Sequence, residues 1–63
     1  MRQEHYELYK GWGIYLIHDY NGYWITVYAG HVNITLEFPE LTFEDAMREA
    51  KFTIDTEMEK LGL

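Results

Sequence analysis

With 63 residues the chain has room for one domain and one core, the size at which disulfides, metals or oligomerisation usually reinforce a fold; the lack of any cysteine excludes disulfides and thiolate zinc sites. A hydrophobic fraction of 48% and an aromatic fraction of 17% exclude a disordered tail. Eleven Asp and Glu against five Lys and Arg give a formal net charge of −6, which speaks against phosphate backbones and anionic membrane surfaces as partners.

The first residues, Met1-Arg2-Gln3-Glu4-His5, lead into no apolar signal region, and no run of about 18 apolar residues follows. A cytoplasmic location is therefore expected. The cations Arg2, Lys10, Arg48, Lys51 and Lys60 are scattered rather than clustered. Gly11 and Gly13 flank Trp12 at or just before the first predicted strand. From there three segments show a period of two. Asn21-Gly22 is the favoured dipeptide of a two-residue hairpin turn, since both positions need positive φ. That turn predicts Tyr20 opposite Tyr23, His18 opposite Ile25, Leu16 opposite Val27 and Ile14 opposite Ala29. The other face then pairs Asp19 with Trp24, Ile17 with Thr26 and Tyr15 with Tyr28.

A second tight turn at Gly30-His31 pairs Ala29 with Val32, Val27 with Ile34, Ile25 with Leu36 and Tyr23 with Phe38. On the opposite face it pairs Tyr28 with Asn33, Thr26 with Thr35 and Trp24 with Glu37. Both hairpins put Tyr23, Ile25, Val27 and Ala29 on one face, and a one-residue slip in either would expose that set. Pro39 ends the third strand because it has no N–H to donate. Thr42-Phe43-Glu44-Asp45 reads as a capping box that opens a helix, and Gly62 as its stop. Phe43, Ala46, Met47, Ala50, Ile54, Met58 and Leu61 form its apolar stripe. The predicted fold is α+β: residues 1–63 as a single β-β-β-α domain. Its three-stranded antiparallel meander, in the order 1-2-3, carries one C-terminal amphipathic helix on its inner face.

Chemistry-bearing constellations are sparse. His5, His18 and His31 lack the spacing of a metal site, His18 falling near a strand end beside Ile25 and His31 in a turn. Glu44, Asp45, Glu49, Asp55, Glu57 and Glu59 line a helix whose polar side is solvated, without the enclosure that acid–base catalysis needs. There is no serine or cysteine, and of the five threonines Thr42 caps the helix while Thr26 and Thr35 face each other. The residues predict no catalytic site, no metal and no cofactor.

The outer sheet face is different. It carries Tyr15, Ile17, Trp24 and Tyr28 with Thr26, Asn33, Thr35 and Glu37 around them, and a two-layer domain leaves that face uncovered. A contiguous aromatic patch marks an interface, and Tyr and Trp are enriched at binding hot spots. Phe52, opposite the helix stripe among Arg48, Asp55 and Glu59, is a second exposed aromatic, to be covered by the N-terminal segment or by a partner. Tyr15, Ile17, Trp24, Thr26, Tyr28 and Phe52 are thus the predicted partner-binding residues.

The order β-β-β-α resembles the plant AP2-type and phage integrase arm-binding domains, through Tyr9-Lys10-Gly11, Tyr23-Trp24 and Thr42-Phe43-Glu44-Asp45-Ala46. The resemblance implies a sheet laid in a DNA groove, read by basic and aromatic residues of the outer face. This chain has the aromatics but no Arg or Lys at Trp24, Thr26, Tyr28, Asn33 or Thr35. Leu41 to Ile54 also resembles the helix opening of HicB-like antitoxin domains, without their following strand. The first functional expectation is a small acidic protein-interaction domain, acting as a homodimer or as an inhibitor or adaptor of a larger protein. The alternative is a nucleic-acid binder that stacks bases on the aromatic face, which net charge disfavours.

Overall fold

The computed structural model of the chain describes residues 3–62; Arg2, one of the scattered cations, lies outside them. Two-residue turns recur every ten residues, at 10–11, 20–21 and 30–31, so three strands of seven or eight residues and a fourth of four fold back beside one another. These strands are β1 (Gln3–Tyr9), β2 (Trp12–Asp19), β3 (Gly22–Ala29) and β4 (Val32–Thr35), followed by α1 (Phe43–Lys60). The sheet is antiparallel throughout, in the order β1-β2-β3-β4. The α+β class and the meander are as predicted, with four strands in place of three.

The extra strand is β1. Lys10 (φ 52°) and Gly11 (φ 84°) are both left-handed, the signature of a type I′ hairpin, and Tyr9 pairs with Trp12 across the turn. The helix packs on β3 chiefly and on β2, so β1 lies beside it and its inward positions need not be apolar. Gln3, His5, Glu7 and Tyr9 point inward while Tyr6 and Leu8 point outward. The apolar phase is reversed relative to β2, and this hides the strand from a reading that looks for a hydrophobic inner face.

The β2–β3 turn also differs from expectation. Asp19 pairs with Gly22, so Tyr20 and Asn21 form the tip, and Asn21 is not left-handed. The Asp19 carboxylate decides this: its Oδ1 accepts the Asn21 N–H at 2.8 Å, closing an Asx turn. Gly22 (φ 126°) opens β3, where a Cβ would come within 2.5 Å of the Glu40 carbonyl oxygen. The register therefore shifts by two residues from the one predicted. Leu16 lies opposite Ile25, Ile14 opposite Val27 and His18 opposite Tyr23; Ile17 lies opposite Trp24 and Tyr15 opposite Thr26. A shift of two keeps every side chain on its expected face.

The β3–β4 hairpin has the predicted pairs Ala29–Val32, Tyr28–Asn33, Val27–Ile34 and Thr26–Thr35. The Leu36 N–H still donates to the Ile25 carbonyl at 3.0 Å. Beyond it, residues 37–39 bulge outward before Pro39 and the chain returns at Glu40, which exchanges both backbone bonds with Tyr23 at 2.7 and 3.0 Å. Glu40, not Phe38, is thus the partner of Tyr23, and Phe38 projects into solvent.

Thr42 caps the helix as predicted, its Oγ1 accepting the Asp45 N–H at 3.1 Å, and Gly62 (φ 77°) follows its end. The Asp45 carboxylate takes Arg48 Nη1 at 2.7 Å. Trp12, Ile14, Leu16, Ile25 and Val27 of the sheet close on Ala46, Met47, Ala50 and Ile54 of the helix. The small Ala46 and Ala50 let the axis approach the sheet. Leu61, predicted in the stripe, is exposed past the core.

Candidate interaction face

Cross-strand pairing arranges the outer face in three rows. The first runs Leu8, Gly13, Tyr28, Asn33; the second Tyr6, Tyr15, Thr26, Thr35; the third Glu4, Ile17, Trp24. Five of the six predicted partner-binding residues, Tyr15, Ile17, Trp24, Thr26 and Tyr28, share this surface, and each is half-buried by its neighbours. Phe52 does not join them. It lies on the helix, 66% exposed, and β1 is a strand of the sheet rather than a cover over it.

Two residues that sequence reasoning missed enlarge the patch. Tyr6 and Leu8 on β1 are 54% and 64% exposed and continue the first two rows to the sheet edge. Their signal in the sequence was the alternation of Tyr6 and Leu8 with Glu7 and Tyr9 just before a left-handed Lys-Gly turn.

The rings are held by specific contacts. A Cβ on Gly13 would meet Tyr28 Cζ at 2.6 Å, so glycine is what lets this ring lie flat across β2. From there Tyr28 reaches Tyr6, with ring centroids 6.4 Å apart and planes at 32°. Desolvation raises the Tyr28 phenol above its ordinary value, and the hydrogen bond with Tyr6 raises it further. Trp24 Nε1 donates to Asp19 Oδ2 at 3.1 Å, the same carboxylate that closes the β2–β3 turn. The Thr26 and Thr35 hydroxyls lie 3.1 Å apart across β3 and β4.

The cations lie elsewhere. Of the described cations, Lys10 pairs with Asp55 at 3.0 Å, Arg48 with Asp45 and Lys60 with Glu57, and Lys51 sits 5.5 Å from the Tyr9 ring centroid. All are on the helix side or in the first turn. The Asp55 carboxylate also accepts the Tyr9 hydroxyl at 3.2 Å, and its bond to Lys10 holds that ammonium's pKa above the usual value. Among the described strand residues the outer face itself carries two carboxylates, Glu4 and Asp19, the latter bonded to Trp24.

His5 and His18 are absorbed into inner-face aromatic contacts, and His31 lies exposed in the β3–β4 turn as predicted. His18 stacks on Tyr23 with centroids 4.0 Å apart, in place of the predicted position beside Ile25. His5 meets the Phe43 ring edge-on at 5.0 Å and contacts Glu7 Oε1 at 3.1 Å. His5, His18, Tyr23 and Phe43, with Gln3, Glu4 and Leu16, line an open recess of about 500 Å³ beside the start of the helix. Among the described residues no three His, Asp or Glu side chains converge as metal ligands. Compared with protein-family models, curated proteins and solved structures, the chain finds no match.

Proposed function

We propose that this chain is a small acidic, non-catalytic protein-interaction domain that receives its partner, a second copy or a larger protein that it inhibits or bridges, on the outer face of its sheet. The observation that carries this reading is the set of rings on an uncovered face, each fixed by its own contact: half-buried Tyr28 over Gly13, half-buried Trp24 on Asp19, and exposed Tyr6 against Tyr28. Rings ordered before binding lose little rotamer freedom on docking, and Tyr and Trp supply large contact area with a polar tip. The paired Thr hydroxyls and Asn33 offer hydrogen bonds at the margin.

A nucleic-acid partner fits this face less well. Backbone phosphates need Lys or Arg, and the described cations are placed on the helix side and spent on carboxylates or a ring. Among the described residues no helix is long and apolar enough to cross a membrane.

Photo-crosslinking amino acids at Thr35 on the outer face and at Phe52 on the helix test the reading in the native host. Adducts to protein from position 35 and none from position 52 are expected. Adducts from position 52 alone, or adducts to nucleic acid from position 35, would overturn it.

A further inference from the structure

We infer that the occupant of the outer face is a second copy of this chain, packed sheet to sheet about a two-fold axis parallel to the strands. The inference rests on the proposed role of that face and names its partner. Charge is the first argument. Six carboxylates lie along the helix, whereas the described strand residues of the outer face hold two, Glu4 and Asp19, and Asp19 is bonded to Trp24, so two copies can meet through the less charged side of the molecule. The result is a four-layer α/β/β/α assembly. With about 10 Å per layer the two acidic helices end up about 30 Å apart, several Debye lengths at physiological salt.

Relief across the face selects the axis. In its first two rows the height is graded: Leu8, Tyr6 and Tyr15 are the large residues of β1 and β2, while Asn33, Thr26 and Thr35 are the small ones of β3 and β4. An axis along the strands places β1 over the partner's β4 and β2 over its β3. In those two rows large then meets small, Leu8 over Asn33, Tyr6 over Thr35 and Tyr15 over Thr26, and in the third Ile17 meets Trp24. An axis across the strands would instead set β1 on β1 and tall on tall. The Tyr28 ring leans from β3 over Gly13 of β2, so the two copies' rings fall side by side and interdigitate as facing sheets do.

The area is small. Strands of seven, eight, eight and four residues, at about 3.3 Å per residue and about 4.8 Å between strands, present roughly 430 Å² per copy, hence about 860 Å² for the pair, the size of a weak, transient interface. Association is therefore weak, with monomer and dimer in exchange.

Sedimentation equilibrium of the full chain from micromolar to millimolar concentration should show the 7.6 kDa mass doubling. Leu8→Glu changes an exposed side chain outside the core and should weaken the dimer at least tenfold while the circular dichroism stays native. Because the chain has no cysteine, engineered thiols report the axis directly. The Leu8→Cys chain mixed with the Asn33→Cys chain should give an oxidised heterodimer, and neither alone a covalent pair. A covalent Leu8→Cys homodimer would overturn the axis, and a dimer unmoved by Leu8→Glu would overturn the face. A monomer at every concentration would overturn the second-copy inference alone. The docking role of the face would still be decided by crosslinking from position 35.

Discussion

The two faces of this sheet are made by alternate residues of the same strands, yet they are built on different terms. The centre of the inner face is aliphatic: Ile14, Leu16, Ile25 and Val27 are sealed by the helix and have no polar atom to satisfy, while Trp12, Tyr9, Tyr23, His5 and His18 lie around that centre. The outer face is aromatic and hydroxylic, and its polar tips are paired within the face itself, as Trp24 is on Asp19 and Thr26 on Thr35. A surface built to be sealed needs close-packed volume, whereas one that stays wet until it is met needs polar groups that are satisfied in both states. The contrast teaches that hydrophobic alternation alone does not separate core from contact surface. The kind of apolar residue, and what its polar atoms touch, does.

The largest expected effect breaks that contrast from the inside. Ile25→Ala removes a fully buried side chain and should cost about 2–5 kcal/mol. A chain of 63 residues has a total stability of about 3–9 kcal/mol at the usual 0.05–0.15 kcal/mol per residue, so this variant should be largely unfolded. Trp24→Ser, one position earlier and on the other face, should lose less and keep its far-ultraviolet circular dichroism. Equal melting temperatures for the two would mean that the outer face is as much a core as the inner one.

A smaller effect sharpens the contrast on the outer side. Gly13→Ala puts a methyl group 2.6 Å from the Tyr28 ring, which must swing away and release Tyr6. The cost expected of overpacking is about 1–3 kcal/mol. The informative readout is local. The Tyr28 and Tyr6 ring resonances should shift, while methyl resonances of Ile14 and Val27, directly across the sheet, hold. Movement of those methyls would show that the faces are mechanically coupled.

Legibility in the sequence followed the same division. The β3–β4 register, the Thr42 cap and the helix stripe from Ala46 to Ile54 were readable because each rests on local chemistry or on one consistent inner face. Strand β1 was not, since the helix meets it through polar and ring contacts at His5 and Tyr9 while Tyr6 and Leu8 point outward. The Asn21-Gly22 turn misled because the dipeptide preference ignores Asp19, whose carboxylate claims the Asn21 N–H and draws the tip back. Outer-face membership survived that error because the slip was an even number of residues. The locking of Tyr28 over Gly13 is a contact between strands that no single-strand pattern records.

The subtlest test uses the Tyr28 phenol, raised above 10.0 by desolvation first and by its bond with Tyr6 second. The sign follows from which form folding favours. A raised phenol pKa means that the folded chain prefers the neutral ring, so an unfolded Tyr28 ionises first as pH climbs. Its contribution to stability is complete below the unfolded value and is lost as pH rises through the folded one. Unfolding midpoints in denaturant, followed from pH 9 upward, should therefore fall, and Tyr28→Phe should flatten part of that fall. The ring's exposure to solvent keeps the effect small. Absorbance titration sharpens it: as protein concentration increases, pairing of two outer faces would strip more water from Tyr28 and push its titration higher still. A phenol titration independent of concentration, in a chain that sediments as a dimer, would place the dimer contact away from Tyr28 and leave the aromatic face without an occupant.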